Sequence, residues 1–561
     1  MAQWWHDSAA TPSAVSPDGA AARPVMGELG STGDGVAQPA AGWGLSLAVL
    51  VAGMFMSVLD TNIVNVAIPT IQSEFGGTTD EVQWVVTGYT LMLGVVVPAT
   101  AWLGDRFGLT RVYNLGLLAF AAGSALCGLA WDLNSLVIFR IVQAIPGGIL
   151  PVVTMSILLR IVPRERLGAA MGLYGLGVVF APAVGPTLGG YLVEYVSWRL
   201  IFFINVPIGI LGVVASVLVL HRLPRVAGRR FDVLGFLTVA GGLFALLLAT
   251  SEGETWGWDS YRVLGLFVVS VLSLALFVVV ELEVADPLLD IRIFRYWAYT
   301  HSLVLIAVLM VAMFAVLFYI PLFLQQAQGW GAFESGLTLL PQALVMGMLT
   351  PIAGRVYDRI GPRWPVTIGL AIVAYGIYLL HKLTLDTSRE HIMWVLVVTG
   401  TGLGMSMMSI FTGGLAIIPV ARANSASACN NVVQRVSASL GLAVLTAIWT
   451  IQQARQLAGR ADLMPANTPT PHIGGPAVPN WVSPYVLYHQ TQLQVFVTSL
   501  DDLFLIAAAV TALGALTALL LRSGPIPAPA STRPPAQTAA PSLTPDGELA
   551  DERDLTSSQK Q

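Results

Sequence analysis

The sequence predicts an all-α polytopic membrane protein: two related six-helix halves with two further helices inserted between them, fourteen transmembrane helices in all. Three observations support that fold class. Of 561 residues, 55% are hydrophobic and only 11% are charged, far from the balance of a soluble domain. Apolar runs of about 20 residues, each long enough to cross the hydrocarbon core of a bilayer, recur along most of the chain. Finally, the string PATAWLGDRFGLTR at 98–111 returns as PIAGRVYDRIGPRW at 351–364, aligning Pro98, Asp105, Arg106 and Gly108 with Pro351, Asp358, Arg359 and Gly361. A weaker echo pairs Arg166 with Arg422 and Gly185 with Gly441. Parallel repeats of this kind are a transporter architecture, with the substrate site between the halves near the membrane midplane.

The apolar runs fall at roughly 44–68, 82–101, 112–131, 135–158, 167–192, 199–220, 233–250, 263–282, 301–325, 336–354, 365–382, 391–414, 428–451 and 501–521. An even count puts both termini on one side. Lys and Arg gather in alternate loops, among them Arg160, Arg164 and Arg166 and the group Arg222, Arg225, Arg229 and Arg230. The positive-inside rule makes those loops, and hence both termini, cytoplasmic. The chain thus divides into a tail (1–42), a first half (43–220), the inserted pair (221–295), a second half (296–522) with an outer loop at 452–500, and a second tail (523–561). Both tails are rich in Pro, Ala, Ser, Thr and Gly and poor in large apolar residues, the composition of disordered segments. The outer loop carries many prolines beside Trp481, Tyr485 and Tyr488, and reads as a variable connector or a partly ordered cap. Cys127 and Cys429 both lie in apolar spans, which suits small packing residues rather than a disulfide framework.

Charge inside the spans is rare and therefore informative. Asp60, in LDTNIVNVAIP (59–69), is the one carboxylate well inside an apolar span. A charged side chain in hydrocarbon costs about 3 kcal/mol on insertion scales, so an acid kept there is a functional-site candidate. The first span runs outward and leaves Asp60 roughly 12 Å below its outer end, while the fourth runs inward and places Arg140 roughly 8 Å below the same surface. The two can share a layer. Burial favours the neutral form of a carboxylic acid and a nearby arginine the charged form, so the pair suggests a proton switch. A static buried ion pair joining two helices is the plainer alternative. Arg435 is the second arginine inside a span, and NNVVQR (430–435) sets it on one helical face with Asn431, Gln434 lying adjacent. The second half offers no membrane acid to neutralise it, which leaves backbone, water, Asp60 or an anionic substrate group as its partner.

Further strings punctuate the chain: LGDRFGLTR (103–111), RIVQAIPGGILP (140–151), GPTLGG (185–190), FDVLG (231–235), SEG…WGW (251–258) and PLLDIRIF (287–294). With LDTNIVNVAIP, they make residues 43–450 resemble the fourteen-spanner drug:proton antiporters of the major facilitator superfamily, the QacA/EmrB-like group. That resemblance implies the major facilitator fold, with Asp60 as the proton-linked acid beside Arg140. In G-x-L-x-D-R-x-G-R-[RK]-[RK] it matches Leu103, Asp105, Arg106, Gly108 and Arg111 and departs at Ala101, Leu109 and Thr110. In R-x-x-Q-G-x-G it keeps Arg140 and Gln143 but has Ala144 and Pro146 at the glycines. Gly185, Pro186, Gly189 and Gly190 match the signature associated with antiporters in full. Physically, that small-residue face allows close helix approach and a bend that can seal a central cavity, or simply packs helices. Gly108 permits a tight turn behind Asp105 and Arg106. These two, with Asp358 and Arg359, read either as a breakable gate, Asp105 facing the positive N-terminus of the thirteenth helix near Arg422, or as solvated loops that set topology.

The expected function is a proton-coupled secondary transporter that exports amphiphilic or drug-like small molecules across the cytoplasmic membrane by alternating access. It would act as a monomer in the lipid bilayer, with no cofactor beyond the coupling proton and no nucleic-acid partner. Aromatic and Met residues, including Phe318, Tyr319 and Met405, crowd the ninth and twelfth spans, as an adaptable pocket or as helix core. Without an acid in the second half, lipophilic monocations or neutral amphiphiles are the expected substrates. An ATP-driven pump would need G-x-x-x-x-G-K-[ST], yet the two lysines, Lys382 and Lys560, do not follow glycine. The histidines are scattered without metal-ligand spacing, which argues against an enzyme. Gly400, Gly402 and Gly404 lie inside the twelfth span, where close packing explains them. An exporter of an endogenous lipid or metabolite, or a nutrient symporter of the same fold, remains the alternative.

Overall fold

The computed structural model describes residues 43–220, 223, 230–284, 286–419, 422–462 and 482–521. Both expected tails lie outside the described residues, as does the middle of the outer loop. Among the described residues there is no strand; thirteen helices are long and apolar enough to cross a membrane, and a bent pair supplies the fourteenth span. In chain order these are α1 Trp43–Phe75, α2 Glu81–Val96 with Ala99–Phe107, α3 Leu109–Gly128, α4 Leu133–Ile161, α5 Leu167–Tyr195, α6 Leu200–Val219 and α7 Val233–Trp256. There follow α8 Tyr261–Glu283, α9 Trp297–Gln326, α10 Ala332–Ile360, α11 Arg363–Leu380, α12 Arg389–Leu415, α13 Ala423–Asp462 and α14 Val482–Ala518. The predicted all-α class and span count agree with this structure.

Local chemistry explains the irregularities. The two limbs of α2 meet at 58° around Val97 and Pro98, where proline removes a backbone donor. Just beyond Asp60, α1 tightens into a 3-10 turn over Val64–Ala67, a feature that often marks a hinge. α4 contains Pro146 and Pro151. Pro151 cannot donate to the Gly147 carbonyl one turn earlier, and Ser57 of α1 takes over, its Oγ donating to that oxygen at 2.9 Å. This exchange ties α1 to α4 next to Asp60.

One boundary needs correction. The outer loop expected over 452–500 is helical at both ends, because α13 continues to Asp462 and α14 begins at Val482. Hydropathy ended the spans where these helices become polar, but a helix does not stop where its apolar stripe does. Asp501 and Asp502 consequently stand inside α14. About 26 Å of helix separates Asp501 from Ala518, close to a bilayer thickness, so the two acids sit near one membrane surface rather than at the centre. Asp502 accepts from Gln456 Nε2 of α13 at 3.1 Å.

The repeat is visible in the backbone. Gly108 (φ 88°) and Gly361 (φ 79°) both terminate a helix in the left-handed region that side chains other than glycine rarely adopt. Gly185 of α5 packs on Asn62 and Ile63 of α1, and its echo Gly441 of α13 packs on Val311 of α9. The face bearing the two glycine turns also carries the arginine-rich loops and is the basic face of the protein. There α5 and α10 meet backbone to backbone: a Cβ on Gly168 or Gly354 would collide with the other's carbonyl oxygen, and one on Gly172 would lie 2.7 Å from Pro351 Cα. Overpacking such a contact forces backbone shifts costing about 1–3 kcal/mol. Gly354→Val is therefore expected to open the basic face. The check is aqueous maleimide labelling of Ser427→Cys, a fully buried position in α13, whose rate should rise about tenfold or more if overpacking shifts the closed equilibrium by that amount. An unchanged rate would show that this glycine contact does not hold the face shut.

Of the inserted pair, α8 is largely exposed, but α7 is not peripheral. α7 packs against α2, where Leu247 fills the space beside Gly94, and against α13, where Thr250 Oγ1 lies 2.6 Å from Ser439 Oγ.

Candidate functional site

Asp60 is fully buried, at 0% exposure, and so is Arg140 at 1%. They meet at 2.6 Å between Asp60 Oδ2 and an Arg140 guanidinium nitrogen. The same nitrogen donates to Gln143 Oε1 at 2.9 Å, and Gln143 Nε2 donates to Asp60 Oδ1 at 3.2 Å. A third donor comes from α6: Asn205 Nδ2 reaches Asp60 Oδ1 at 2.8 Å and also Ser124 Oγ of α3 at 3.0 Å. Ser124 in turn donates to the Phe202 carbonyl at 2.8 Å. Tyr89 of α2 stacks on Arg140, with the guanidinium carbon 3.8 Å from the ring centroid, and Arg140 Nε donates to the Val85 carbonyl. Cys127 contributes a thiol donor to Gln143 Oε1 at 3.4 Å. Every oxygen of the carboxylate is thus engaged inside the first half alone. A buried charge of this kind is tolerated only when paired and hydrogen-bonded, and here both conditions hold.

The predicted pair Asp60 and Arg140 is brought together, with Gln143 as a bridge. Sequence reasoning missed Asn205, Ser124 and Tyr89. Asn205 had a legible signal, an amide inside an otherwise apolar span, but neutral polar residues are common enough in helices that none points to a partner by itself. The glycines of GPTLGG flank the same centre. A Cβ on Gly185 would lie 3.1 Å from Asn62 Cβ, and one on Gly189 would lie 2.8 Å from Ile63 Cγ1, so α5 rides on the turn of α1 that follows Asp60. Gly190 is looser, 4.0 Å from Val66, and the side chain of Pro186 lies outside the described residues.

At the basic face the two repeated aspartates act across the halves. Asp105 accepts from Asn424 Nδ2, the second residue of α13, at 2.5 Å, with Arg160 3.9 Å away. Asp358 accepts from the backbone N–H groups of Gly168 and Ala169, at the start of α5, at 2.8 and 3.1 Å. Both carboxylates therefore sit at the positive end of a helix in the opposite half. Arg422 pairs instead with Asp290, in the stretch that returns from the inserted helices, at 2.9 Å. Arg106 and Arg359 are exposed. Only the aspartate of each D-R pair enters the contact.

The proposed cavity residues separate. Tyr319 turns into the protein, its hydroxyl 2.9 Å from Thr446 Oγ1, whereas Phe318 beside it is exposed and Met405 is half-buried. Most of the Met and aromatic set, including Met310, Phe323, Met407, Met408 and Phe411, is buried core. Gly400 and Gly404 pack on Gln342 and Met346 of α10, and Gly402 on α11, as close packing requires. Asn431 Nδ2 is spent on the Ser427 carbonyl of its own helix at 2.9 Å. Gln434 and Arg435 are half-buried, and Arg435 lies within electrostatic reach of Tyr89 and of Tyr174 of α5. Near the surface marked by Asp501, a cavity of about 450 Å³ opens between α9, α13 and α14, lined by Gln326, Gln453, His489 and Phe496 among others; it touches none of the residues around Asp60.

Two six-helix repeats, a buried acid–arginine centre in one of them and acidic clasps between them are the architecture of a membrane transporter. The family model of the Major Facilitator Superfamily matches residues 50–442, and the chain belongs to that family of transporters, which are not enzymes. It is 35% identical over 404 residues, 72% of this chain and 76% of the other, to the uncharacterized MFS-type transporter YhcA of Bacillus subtilis (strain 168). It is 32% identical over 405 residues, 72% of this chain and 75% of the other, to the tetracenomycin C resistance and export protein of Streptomyces glaucescens. Among solved structures it resembles the proton:xylose symporter XylE bound to 6-bromo-6-deoxy-D-glucose with a TM-score of 0.56 at 12% identity, covering 85% of this chain and 95% of that one. That last likeness concerns the fold.

Proposed function

We propose that this transporter exports amphiphilic, drug-like small molecules across the cytoplasmic membrane in exchange for protons. The observation that carries the reading is the wholly buried Asp60, held by Arg140, Gln143 and Asn205 in a helix layer that borders the hinge-like turn of α1. Protonating Asp60 removes the charge that Arg140 neutralises and loosens three hydrogen bonds at once, a local event that biases α1 against α4 and α6. The basic face is the cytoplasmic one, with both termini on that side, so the clasps of Asp105 and Asp358 close the path from the cytoplasm. A resistance and export protein among the relatives supports the direction of transport. Each proton entering down a potential of 100 mV releases about 2.3 kcal/mol, enough for one or two protons per cycle to sustain a substantial outward gradient.

The test is counterflow. Purified protein in proteoliposomes loaded with a pH-sensitive dye is expected to move protons when a transported compound is added, and to drive that compound when a proton gradient is imposed. Substrate movement at one rate with and without the gradient would remove proton coupling from the reading.

A further inference from the structure

The Asp60 centre leaves one charge unexplained. Among the described residues no carboxylate pairs with Arg435, and its Nε has no hydrogen-bond partner. Asp60, the acid at comparable depth, is fully enclosed and already accepts from three side chains. Asp501 and Asp502 lie near the far surface, and Glu281 sits at the opposite end of α8, where it accepts from the Leu289 backbone N–H at 3.1 Å. The region between the halves therefore carries an excess positive charge.

Arg435 does not stand alone. Ser427, Asn430, Asn431, Gln434 and Arg435 follow the spacing of one helical face, a polar strip about 12 Å long that rises from the basic end of α13 toward its middle. The reach of Arg435 to Tyr89 of α2 and Tyr174 of α5 turns that face toward the first half. Two further members are buried without a hydrogen-bond partner: the Ser427 hydroxyl and the Asn430 amide nitrogen. Buried donors without acceptors are uncommon in folded proteins and favour a ligand or water that supplies the missing oxygens. The strip thus offers donors and a positive charge, and it starts beside the Asp105 clasp, where a molecule from the basic side would first meet it.

We propose that this face of α13 is the recognition strip for the exported molecule, and that it selects amphiphiles whose head group is anionic and oxygen-rich, a carboxylate or phenolate. Arg435 supplies the charge, and Ser427, Asn430 and Gln434 supply neutral donors along the path. This rests on the export reading above and departs from the sequence-based expectation of lipophilic monocations or neutral amphiphiles: with Asp60 sealed behind Arg140, a cation would meet only Arg435. An anionic head also suits an exporter, since the membrane potential, negative inside, favours its departure.

The experiment compares two xanthene dyes of similar shape, anionic fluorescein and cationic rhodamine 6G, by fluorescence polarisation on the detergent-solubilised full chain. Fluorescein is expected to bind the wild type more tightly than rhodamine 6G, with affinity falling tenfold or more in Arg435→Gln and largely restored in Arg435→Lys. Matching melting temperatures of the three proteins exclude a folding defect. Tighter binding of rhodamine 6G, binding of neither dye, or fluorescein affinity indifferent to Arg435→Gln overturns the proposal. The same proteins in proteoliposomes separate the two readings. Gradient-driven movement of rhodamine 6G alone would keep proton-coupled export and reject the anionic strip. Arg435-dependent fluorescein binding without gradient-driven movement would keep the strip and reject the coupling.

Discussion

Asp60→Asn is expected to abolish gradient-driven transport, by a hundredfold or more, while substrate exchange without a gradient persists. Asparagine keeps the shape of the side chain and can still meet Gln143 and Asn205, whose amides can turn to match it. What it cannot do is take and release a proton. Arg140 keeps the Tyr89 ring at 3.8 Å, Gln143 Oε1 and the Val85 carbonyl, so its charge is not left bare and the protein should remain folded. The measurement is paired: uptake into proteoliposomes with and without an imposed proton gradient, beside the melting temperature of the purified variant. Wild-type accumulation with undiminished dependence on the gradient would show that Asp60 serves only to fix helices.

Arg140→Ala should have the larger effect on stability. It strands the Asp60 carboxylate in a fully buried site, and removing one partner of a buried pair costs about 3–5 kcal/mol, more than many proteins can lose. Two neutral donors, Gln143 and Asn205, remain, too few to replace a guanidinium at 2.6 Å. The diagnostic is the double variant. If the cost comes from stranded charge, Arg140→Ala combined with Asp60→Asn should unfold at a higher denaturant concentration than Arg140→Ala alone. Strictly additive losses would mean that Arg140 contributes through packing against Tyr89 and Phe202, not through its charge.

Much of this was legible in the sequence because hydrocarbon makes polarity conspicuous. Asp60 and Arg140 stand out in apolar runs, and counting residues from helix ends put them in one layer, where they are found bonded. The repeat announced itself through Asp105 and Asp358 and their following glycines, and Asp105 does reach the start of α13. What one sequence does not carry is rotation: a nearly all-apolar helix has no clear stripe to say which face looks inward. Hence Asn205 and Tyr89 passed unnoticed, and Phe318 and Tyr319, neighbours in sequence, point to different surroundings. Helix length beyond the hydrocarbon is the other blind spot, and it hid the extensions of α13 and α14.

The clasps of the basic face are cross-wired. Asp105 belongs to the first half and holds the start of α13; Asp358 belongs to the second and holds the start of α5, the helix that corresponds to α13 in the repeat. If one half rocks against the other, both bonds lengthen together, so that neither would release while its twin stays fastened, and such a seal would be a bistable catch rather than a graded one. It is also the contact that a symmetric pair of identical six-helix units would make, each lending its carboxylate to its neighbour. The single chain keeps the wiring of a two-fold dimer, and each half depends on a residue encoded in the other for its own closure.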